Sequence, residues 1–392
     1  MDPSLLPSSS LKLSGVCSFQ SSNRSSLPFK VKNIATGQLL SVDRLLRNPQ
    51  ILPAIRLHEH QLFGCSNVGR NCQIKRPNAM QNQDPDHPGL EKKPHFTEVL
   101  LRFTRPYALR GAIAGYTCIL ARTCIEHPLP FRWSQLFKAL GGLVALLSAH
   151  SYINGVNQIF DVEIDRINKP HLPIASGDLS LQLAWSLVTS FAVTGLAIAR
   201  ILNYVPFSCS LFGLYFLGTI YSVPPFSMKR STVGAILVNA MMGGLVLTSA
   251  QSTAARASLG LPFVLSVPVL FFSIFTTMYS SGLAITKDLS DVEGDRKFNV
   301  PTMATILGIR NTALIGSGIL LLNYVGAVLT AIVLPQIFRR NVMVLAHTIL
   351  GVCLTFQAWK MNRENCSKEE SSKYYQFLWK LLYAEYALFP FI

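Results

Sequence analysis

Two segments of the chain repeat one polar pattern 130 residues apart, within sequence that is otherwise largely apolar. Polar side chains recur every four residues, at Asn157, Asp161 and Asp165 in the first segment and at Lys287, Asp291 and Asp295 in the second. On a helix this spacing places each set on one face, where carboxylates repel one another unless cations lie between them. Mg²⁺ is typically held by one or two carboxylates together with phosphate oxygens. The pattern therefore predicts a site for Mg²⁺ ions and a diphosphate.

The oxygen-bearing side chains of the two segments are the candidate metal ligands. They are Asp161, Asp165, Asp291 and Asp295, with Asn157 and Asp288 as supplementary ligands. Glu163 and Glu293 lie about 200° around the helix from that face, so we exclude them. The alternative is a pair of solvated helix ends with ordinary charge. Two near-copies in a chain with only 20 acidic residues favour the metal site.

Basic and polar residues near the two segments are candidates for catalysis and for binding the diphosphate. The predicted catalytic residues are Lys287 and the aspartates Asp161, Asp165, Asp291 and Asp295. The predicted substrate-binding residues are Arg110, Asn157, Arg166, Lys169, Tyr221, Lys229, Arg230 and Asp288. Positioned cations stabilise the charge that develops on a leaving diphosphate. For the basic residues the alternative is the ordinary excess of Lys and Arg in loops on one membrane side.

Three of these candidates have specific alternatives. Arg110 lies one turn inside an apolar helix, where a charge is unfavourable unless it faces a cavity or reaches the headgroups. Tyr221 is an aromatic residue suited to shielding a carbocation, although most aromatics in membrane helices pack or lie at the interface. Lys169 belongs to a connection, residues 168–178, that is rich in helix breakers. This connection either folds over a bound anion or forms a tight turn at the membrane surface.

The elements that carry these residues are predicted to be membrane-spanning helices. Hydrophobic residues make up 49% of the chain and charged residues 14%, against about 25% charged in ordinary soluble domains. Apolar runs of the roughly 20 residues needed to cross a bilayer occur near 107–124, 136–157, 182–202, 206–223, 233–252, 262–286, 312–334, 342–360 and 376–392. Alternating strand patterns are lacking. We therefore expect an all-α integral membrane protein with nine helices around a central cavity, embedded in the lipid bilayer.

Residues 1–83 differ in composition from the rest of the chain. They hold ten Lys and Arg against three acidic residues, and ten serines fall within the first 30 positions. A basic, serine-rich and acid-poor segment is typical of a plastid transit peptide, the alternative being a disordered cytosolic tail. Because this segment supplies +7 of the formal charge of +15, the basicity gives no reason to expect a nucleic-acid partner. We expect residues 1–83 to form this leader and residues 84–392 the transmembrane domain.

These residues give the chain a resemblance to the UbiA superfamily of intramembrane prenyltransferases. Its signature of one N-x-x-x-D-x-x-x-D segment and a second D-x-x-x-D is matched at Asn157, Asp161, Asp165, Asp291 and Asp295. The flanking text, such as NQIFDVEIDRINKPHLPIASGDLS and AITKDLSDVEGDRKF, resembles plant homogentisate prenyltransferases of the solanesyltransferase type. The resemblance implies Mg²⁺-dependent transfer of a prenyl group from its diphosphate to an aromatic acceptor, with loss of carboxylate from homogentisate. It also implies a plastid-envelope location and a role in plastoquinone synthesis.

The chain departs from that type at three positions. Tyr107 stands where such chains tend to carry His, Gly243 stands where they carry Arg, and Thr248 replaces an Asn. Loss of a buried cation weakens the case for an anionic acceptor, so another plant phenolic (a flavonoid, coumarin or phenolic acid) with a shorter donor remains an alternative. A multi-helix transporter of organic anions is the alternative from another functional class.

Overall fold

The computed structural model describes residues 94–392, except Phe131 and Asn365, and two short strands nearer the N-terminus. The strands, β1 Lys30–Lys32 and β2 Leu39–Ser41, pair antiparallel within a separate unit, Met1–Pro88. Strands of three residues are too short for an alternating pattern to be recognised in the sequence, which is why no strand was expected. Apart from this pair, the predicted leader, residues 1–83, lies outside the described residues.

Residues 94–392 form a bundle of long helices joined by short connections. The long helices are α1 Pro106–Glu126, α2 Trp133–Phe160, α3 Leu181–Leu202, α4 Val205–Ser222, α5 Thr232–Leu259, α6 Val267–Leu289, α7 Ile309–Val333, α8 Arg340–Arg363 and α9 Lys368–Leu388. Shorter helices in the same region are Phe96–Thr104, Val162–Asn168, Pro173–Ser176, Val292–Lys297 and Met303–Leu307. The predicted all-α architecture is confirmed for this part of the chain.

Each predicted span coincides with one of the long helices. Among the described residues, the seven helices α2 to α8 are long and apolar enough to cross a membrane. The first and the last of the nine long helices along the chain are more polar. Helix α1 contains Arg110 and Arg122, and α9 begins with the charged turn Lys368–Glu370. That charged turn also explains why the apolar run in the sequence began several residues inside α9.

Neighbouring helices pack through buried aromatic and polar side chains. Tyr279 of α6 is fully buried and its hydroxyl donates to the carbonyl of Leu378 in α9, at 2.7 Å. Asn323 of α7 donates its amide to the carbonyl of Phe275 in α6, at 2.9 Å. Hydrogen bonds of this kind hold helices together in lipid, where apolar contact alone gives little preference for protein over lipid. Large apolar side chains remain exposed on the outer surface, as at Val352, which is 62% exposed.

A π-helical turn, Met242–Val246, interrupts α5 where it packs most closely on α6. At Gly244 a Cβ atom would lie 2.2 Å from the Cα of Thr277, far inside van der Waals contact. The backbones of α5 and α6 approach this closely because position 244 has no side chain. The glycine therefore fixes the distance between two helices that frame the site described below.

Gly244→Ala is expected to lower the stability of the folded protein by about 1–3 kcal/mol, because the added methyl group must push two helix backbones apart. The measurement is the thermal unfolding midpoint of purified protein in detergent. Gly326→Ala on α7 is the matched control, since a Cβ there meets nothing within 4 Å. Equal midpoints for the two variants would contradict the close contact.

The two polar segments lie at the ends of α2 and α6 and are not continuous helix, as the spacing had suggested. Asp161 separates α2 from Val162–Asn168, and Asp291 separates the end of α6 from Val292–Lys297. Aspartate is a poor residue for a helix interior because its side chain competes for backbone groups. The short helices Val162–Asn168 and Val292–Lys297 pack against each other. This brings the two segments together at one end of the bundle.

Candidate active site

The first segment is organised around Asp161. Its carboxylate accepts a hydrogen bond from the amide of Asn157 at 2.8 Å and lies 2.6 Å from the ammonium of Lys229. Lys229 lies in the connection between α4 and α5, within the short 3₁₀ helix Met228–Arg230. The structure therefore joins Asn157, Asp161 and Lys229, three residues singled out from the sequence.

The second segment is organised around Asp291 and Asp295. The ammonium of Lys169 donates a hydrogen bond to Asp291, and Ser290 donates its hydroxyl to the same carboxylate at 3.2 Å. Asp295 accepts from the side-chain amide of Asn168 at 3.2 Å. Two of these donors, Asn168 and Lys169, belong to the connection that follows the first segment. This connection therefore contacts the second segment directly.

The innermost carboxylates are strongly buried. Asp165 and Asp295 are each 5% exposed, and Oδ2 of Asp165 has no hydrogen-bond partner among the described residues. Burial raises the pKa of Asp165 to about 6, although Arg105 and Lys169 act to lower it. Burial likewise raises the pKa of Asp295 to about 7, and the carboxylates of Asp288 and Asp291 add to the effect. Such a site is better suited to carboxylates in contact with cations than to carboxylates left alone.

Lys287 lies on the α6 side of the site. Its ammonium donates to the hydroxyl of Tyr221 at 2.6 Å and lies 5.3 Å from the centre of the same ring. The carboxylate of Asp288 is 3.9 Å away. The two predicted residues Lys287 and Tyr221 are thus direct partners, and Asp288 lies beside them.

Three predicted residues lie apart from this cluster. Arg166 pairs with Glu163 at 3.2 Å, and its side chain is 57% exposed. Arg230 and Arg110 are also exposed. In the short helix Val162–Asn168, successive residues point about 100° apart. Arg166 therefore faces away from the site, because the preceding residue, Asp165, is buried in it. The structure brings together ten of the thirteen predicted positions and leaves these three at the surface.

Two further residues take part in the site without having been predicted. Arg105 lies between Phe96–Thr104 and α1 with φ of 56°, and its guanidinium donates to the side-chain oxygen of Asn157 at 3.0 Å. Asn168 contacts the second segment, as described above. The only sequence signal for Arg105 was its place before Pro106 at a helix start, and an asparagine in a loop carries almost none.

The connection of residues 168–178 is held at both ends. Lys169 and Asn168 bind the second segment, while Asp178 forms an ion pair with Arg102 at 3.0 Å. The same arginine donates to the carbonyl of His171 at 3.3 Å. The connection therefore contacts the second segment at its start and the helix Phe96–Thr104 at its end, and folding over a bound anion stays a prediction.

Lys169→Gln is expected to lower kcat/KM for a diphosphate substrate at least about tenfold, because it removes a partly buried cation beside Asp291. Arg166→Gln, only three positions away, is expected to change it less than about twofold, since that side chain is exposed and paired locally. Steady-state kinetics in membranes at matched expression provide the measurement. A larger effect at Arg166 than at Lys169 would contradict the placement of the two residues.

Curated relatives match most of the chain. It is 48% identical over 324 residues to homogentisate solanesyltransferase, chloroplastic, of Arabidopsis thaliana, covering 82% of this chain and 84% of that protein. It is 50% identical over 292 residues to the probable homogentisate phytyltransferase 2, chloroplastic, of Oryza sativa subsp. japonica, covering 74% and 77%. The 2-acylphloroglucinol 4-prenyltransferase of Humulus lupulus is 42% identical, covering 84% and 80%.

The fold and the family agree with these similarities. A solved structure of a UbiA homolog from Archaeoglobus fulgidus bound to GPP and Mg²⁺ superposes with a TM-score of 0.51 at 19% identity, covering 74% of this chain and 99% of that one. At that identity the likeness concerns the fold alone. Residues 114–381 match the UbiA prenyltransferase family, a range that includes both polar segments. This chain belongs to the UbiA prenyltransferase family.

Proposed function

We propose that this protein transfers a prenyl group from a prenyl diphosphate to the aromatic ring of homogentisate. The main observation that supports this proposal is that the two carboxylate segments meet at one end of a helix bundle, together with Lys169, Lys229 and Lys287. The acceptor is supported by two relatives, at 48% and 50% identity, whose names specify homogentisate. Family membership and the duplicated aspartates favour this enzyme over a transporter of organic anions.

The donor set fits Mg²⁺. Asp161, Asp165, Asp291 and Asp295 would hold it, with Asn157 and Asp288 as additional oxygen ligands. The buried, unpartnered oxygen of Asp165 is an acceptor that a cation would satisfy. Within the described residues no three His, Cys, Asp or Glu side chains form a metal-holding group by themselves. Mg²⁺ takes few protein ligands and completes its shell with water and substrate phosphates, so two carboxylates from each segment would suffice.

The chain's own residues account for the chemistry around the donor. When bound, Mg²⁺ would supply positive charge to the departing diphosphate. Lys229 and Lys287 are placed to donate hydrogen bonds to diphosphate oxygens as the allylic C–O bond breaks and its electron pair leaves with the diphosphate. Tyr221 holds Lys287 in place through its hydroxyl. Lys169 and Asn168 contact Asp291 and Asp295, and exclusion of water at the closed site would protect the carbocation.

Attack by an electron-rich ring carbon then forms the new C–C bond. Because the bundle holds both reactants, orientation supplies a large share of the rate enhancement, on the order of 7–11 kcal/mol in well-aligned systems. The ring returns to aromaticity by loss of a proton, and homogentisate also loses its carboxylate as CO₂, with a proton taking the place of the carboxylate on the side-chain carbon. This route requires no covalent intermediate with the protein.

We also propose that the protein lies in a chloroplast membrane, and specifically in the envelope. Two relatives are named chloroplastic, and residues 1–83 have the composition of a transit peptide. We propose residues 1–83 as the leader and residues 84–392 as the membrane domain. Import of a fluorescent fusion into isolated chloroplasts, with cleavage of the leader, is the direct test.

A second acceptor class is favoured by two observations. The relative from Humulus lupulus, at 42% identity, is named 2-acylphloroglucinol 4-prenyltransferase. Position 243, where the homogentisate-type resemblance implies arginine, is a glycine and so supplies no cation, and a Cβ there would lie 2.7 Å from Oγ of Ser280. Both observations support a neutral phenolic acceptor as the second candidate function.

One experiment separates the two acceptors. Membranes containing the full chain are supplied with Mg²⁺ and with prenyl diphosphates from C5 to C45, against homogentisate and a panel of phloroglucinols and other plant phenolics. Long-chain transfer to homogentisate with release of CO₂ supports the first function, and transfer to a neutral phenolic supports the second. Absence of diphosphate release with every pair would overturn both.

A further inference from the structure

One asparagine joins the two polar segments. The side-chain oxygen of Asn168 accepts the backbone N–H of Gly294 at 3.1 Å, and its amide donates to Oδ1 of Asp295 at 3.2 Å. These partners are 126 and 127 residues away in the sequence. A single side chain from the first half therefore fixes both the backbone and the carboxylate of the second segment.

The contact leaves no space for a larger residue opposite Asn168. A Cβ added at Gly294 would lie 2.1 Å from the oxygen of Asn168, so the hydrogen bond and a side chain at position 294 exclude each other. The connection that carries Asn168 is also restrained beyond it, through Lys169 to Asp291 and through Asp178 to Arg102. The connection that begins at Asn168 is thus restrained at two further points while Asn168 contacts Asp295.

The contact also determines which oxygen of Asp295 is used. Because Oδ1 accepts the amide of Asn168, the carboxylate is fixed in rotation, and Oδ2 is the oxygen left for another ligand. Loss of a group that orients a ligating side chain typically lowers metal affinity about 10–100-fold. Asn168 carries no charge and so contributes through geometry.

We propose that Asn168 is a positioning residue that orients Asp295, across the two halves of the bundle, for binding of Mg²⁺ and diphosphate. This inference rests on the proposed function, because it concerns the same site. Its direct consequence is that disturbing Asn168 weakens metal binding even where every proposed metal ligand is intact.

The test measures the rise in thermal unfolding midpoint of the purified full chain as Mg²⁺ is titrated at a fixed concentration of inorganic diphosphate. Asn168→Ala is expected to raise the Mg²⁺ concentration for half-maximal stabilisation about 10–100-fold. Gly294→Ala is expected to do the same, because its methyl group displaces Asn168 while improving the intrinsic helix propensity. Asn311→Ala is the control, since that exposed side chain donates to the carbonyl of Leu307, at the end of the preceding short helix, and to none of the aspartates.

An exchange of the two polar groups distinguishes orientation from simple stability. Asn168→Asp places a second carboxylate against Asp295 and is expected to lower the midpoint in EDTA. Asn168→Asp combined with Asp295→Asn restores the hydrogen bond with donor and acceptor reversed. The midpoint in EDTA is then expected to recover, while the response to Mg²⁺ stays weak because the ligand is lost.

Two results would overturn the inference. Asn168→Ala with a lowered midpoint in EDTA but an unchanged Mg²⁺ dependence would reduce the asparagine to a structural contact. Failure of the exchanged pair to recover the midpoint in EDTA would exclude the direct Asn168–Asp295 contact. A wild-type protein that gains no stability from Mg²⁺ and diphosphate would instead overturn the proposed function itself, and Asn168's role with it.

Discussion

Asp161→Ala and Asp291→Ala are each expected to lower prenyl transfer by at least about 10³-fold while the protein remains in the membrane. These two carboxylates occupy equivalent places in the two segments, and each contacts a lysine from another part of the chain. Removing either one leaves an ammonium without its partner and takes away a proposed oxygen ligand for Mg²⁺. Both losses act on the charge of the leaving diphosphate, which is the main charge that this reaction must stabilise.

The measurement is release of inorganic diphosphate from an allylic donor, with protein amount fixed by immunoblot of the membrane fraction. Glu163→Ala and Glu293→Ala are matched controls, because they lie two positions from each aspartate and are 74% and 80% exposed at the side chain. We expect these controls to stay within about twofold of wild type, as exposed positions usually do. Substantial activity in either aspartate variant would rule out a site built from both segments.

Lys287→Met is expected to lower kcat by about 10²–10³-fold, the typical effect of removing one preorganised donor from a developing anion. Lys287 is fixed by the hydroxyl of Tyr221 at 2.6 Å, so its ammonium needs little reorganisation when the allylic bond breaks. Because methionine preserves much of the length and apolar volume of the side chain, the loss reports on charge more than on packing.

Tyr221→Phe is the companion variant to Lys287→Met. It keeps the ring beneath the ammonium, at 5.3 Å, but removes the hydrogen bond, and a decrease of roughly 2–10-fold is expected. Lys380→Met, at an exposed position on α9, is the control for loss of a lysine. Single-turnover rates separate the chemical step from release of product. A decrease confined to KM would show that Lys287 acts in binding and not on the leaving group.

The long helices could be predicted with good accuracy because their signal is local. A span must contain about 20 apolar residues in one continuous run, whatever it packs against. The interruption at Asp161 and Asp291 was missed because the four-residue spacing fits a continuous helix equally well. The polar start of α9 was missed for the same reason, since an apolar run marks the lipid-facing part of a helix and not its true end.

The sequence by itself determined the chemistry of the site: two carboxylate segments and nearby lysines, the types and spacings that suit Mg²⁺ and a diphosphate. Only the tertiary structure decided the partners. It assigned Lys229 to Asp161 and Lys169 to Asp291, directed Arg166 toward Glu163, and brought Asn168 to Asp295. Spacing along a chain specifies which face of a helix a side chain occupies. Which groups meet across more than 100 residues depends on how the helices pack, and neutral residues such as Asn168 acquire their role only there.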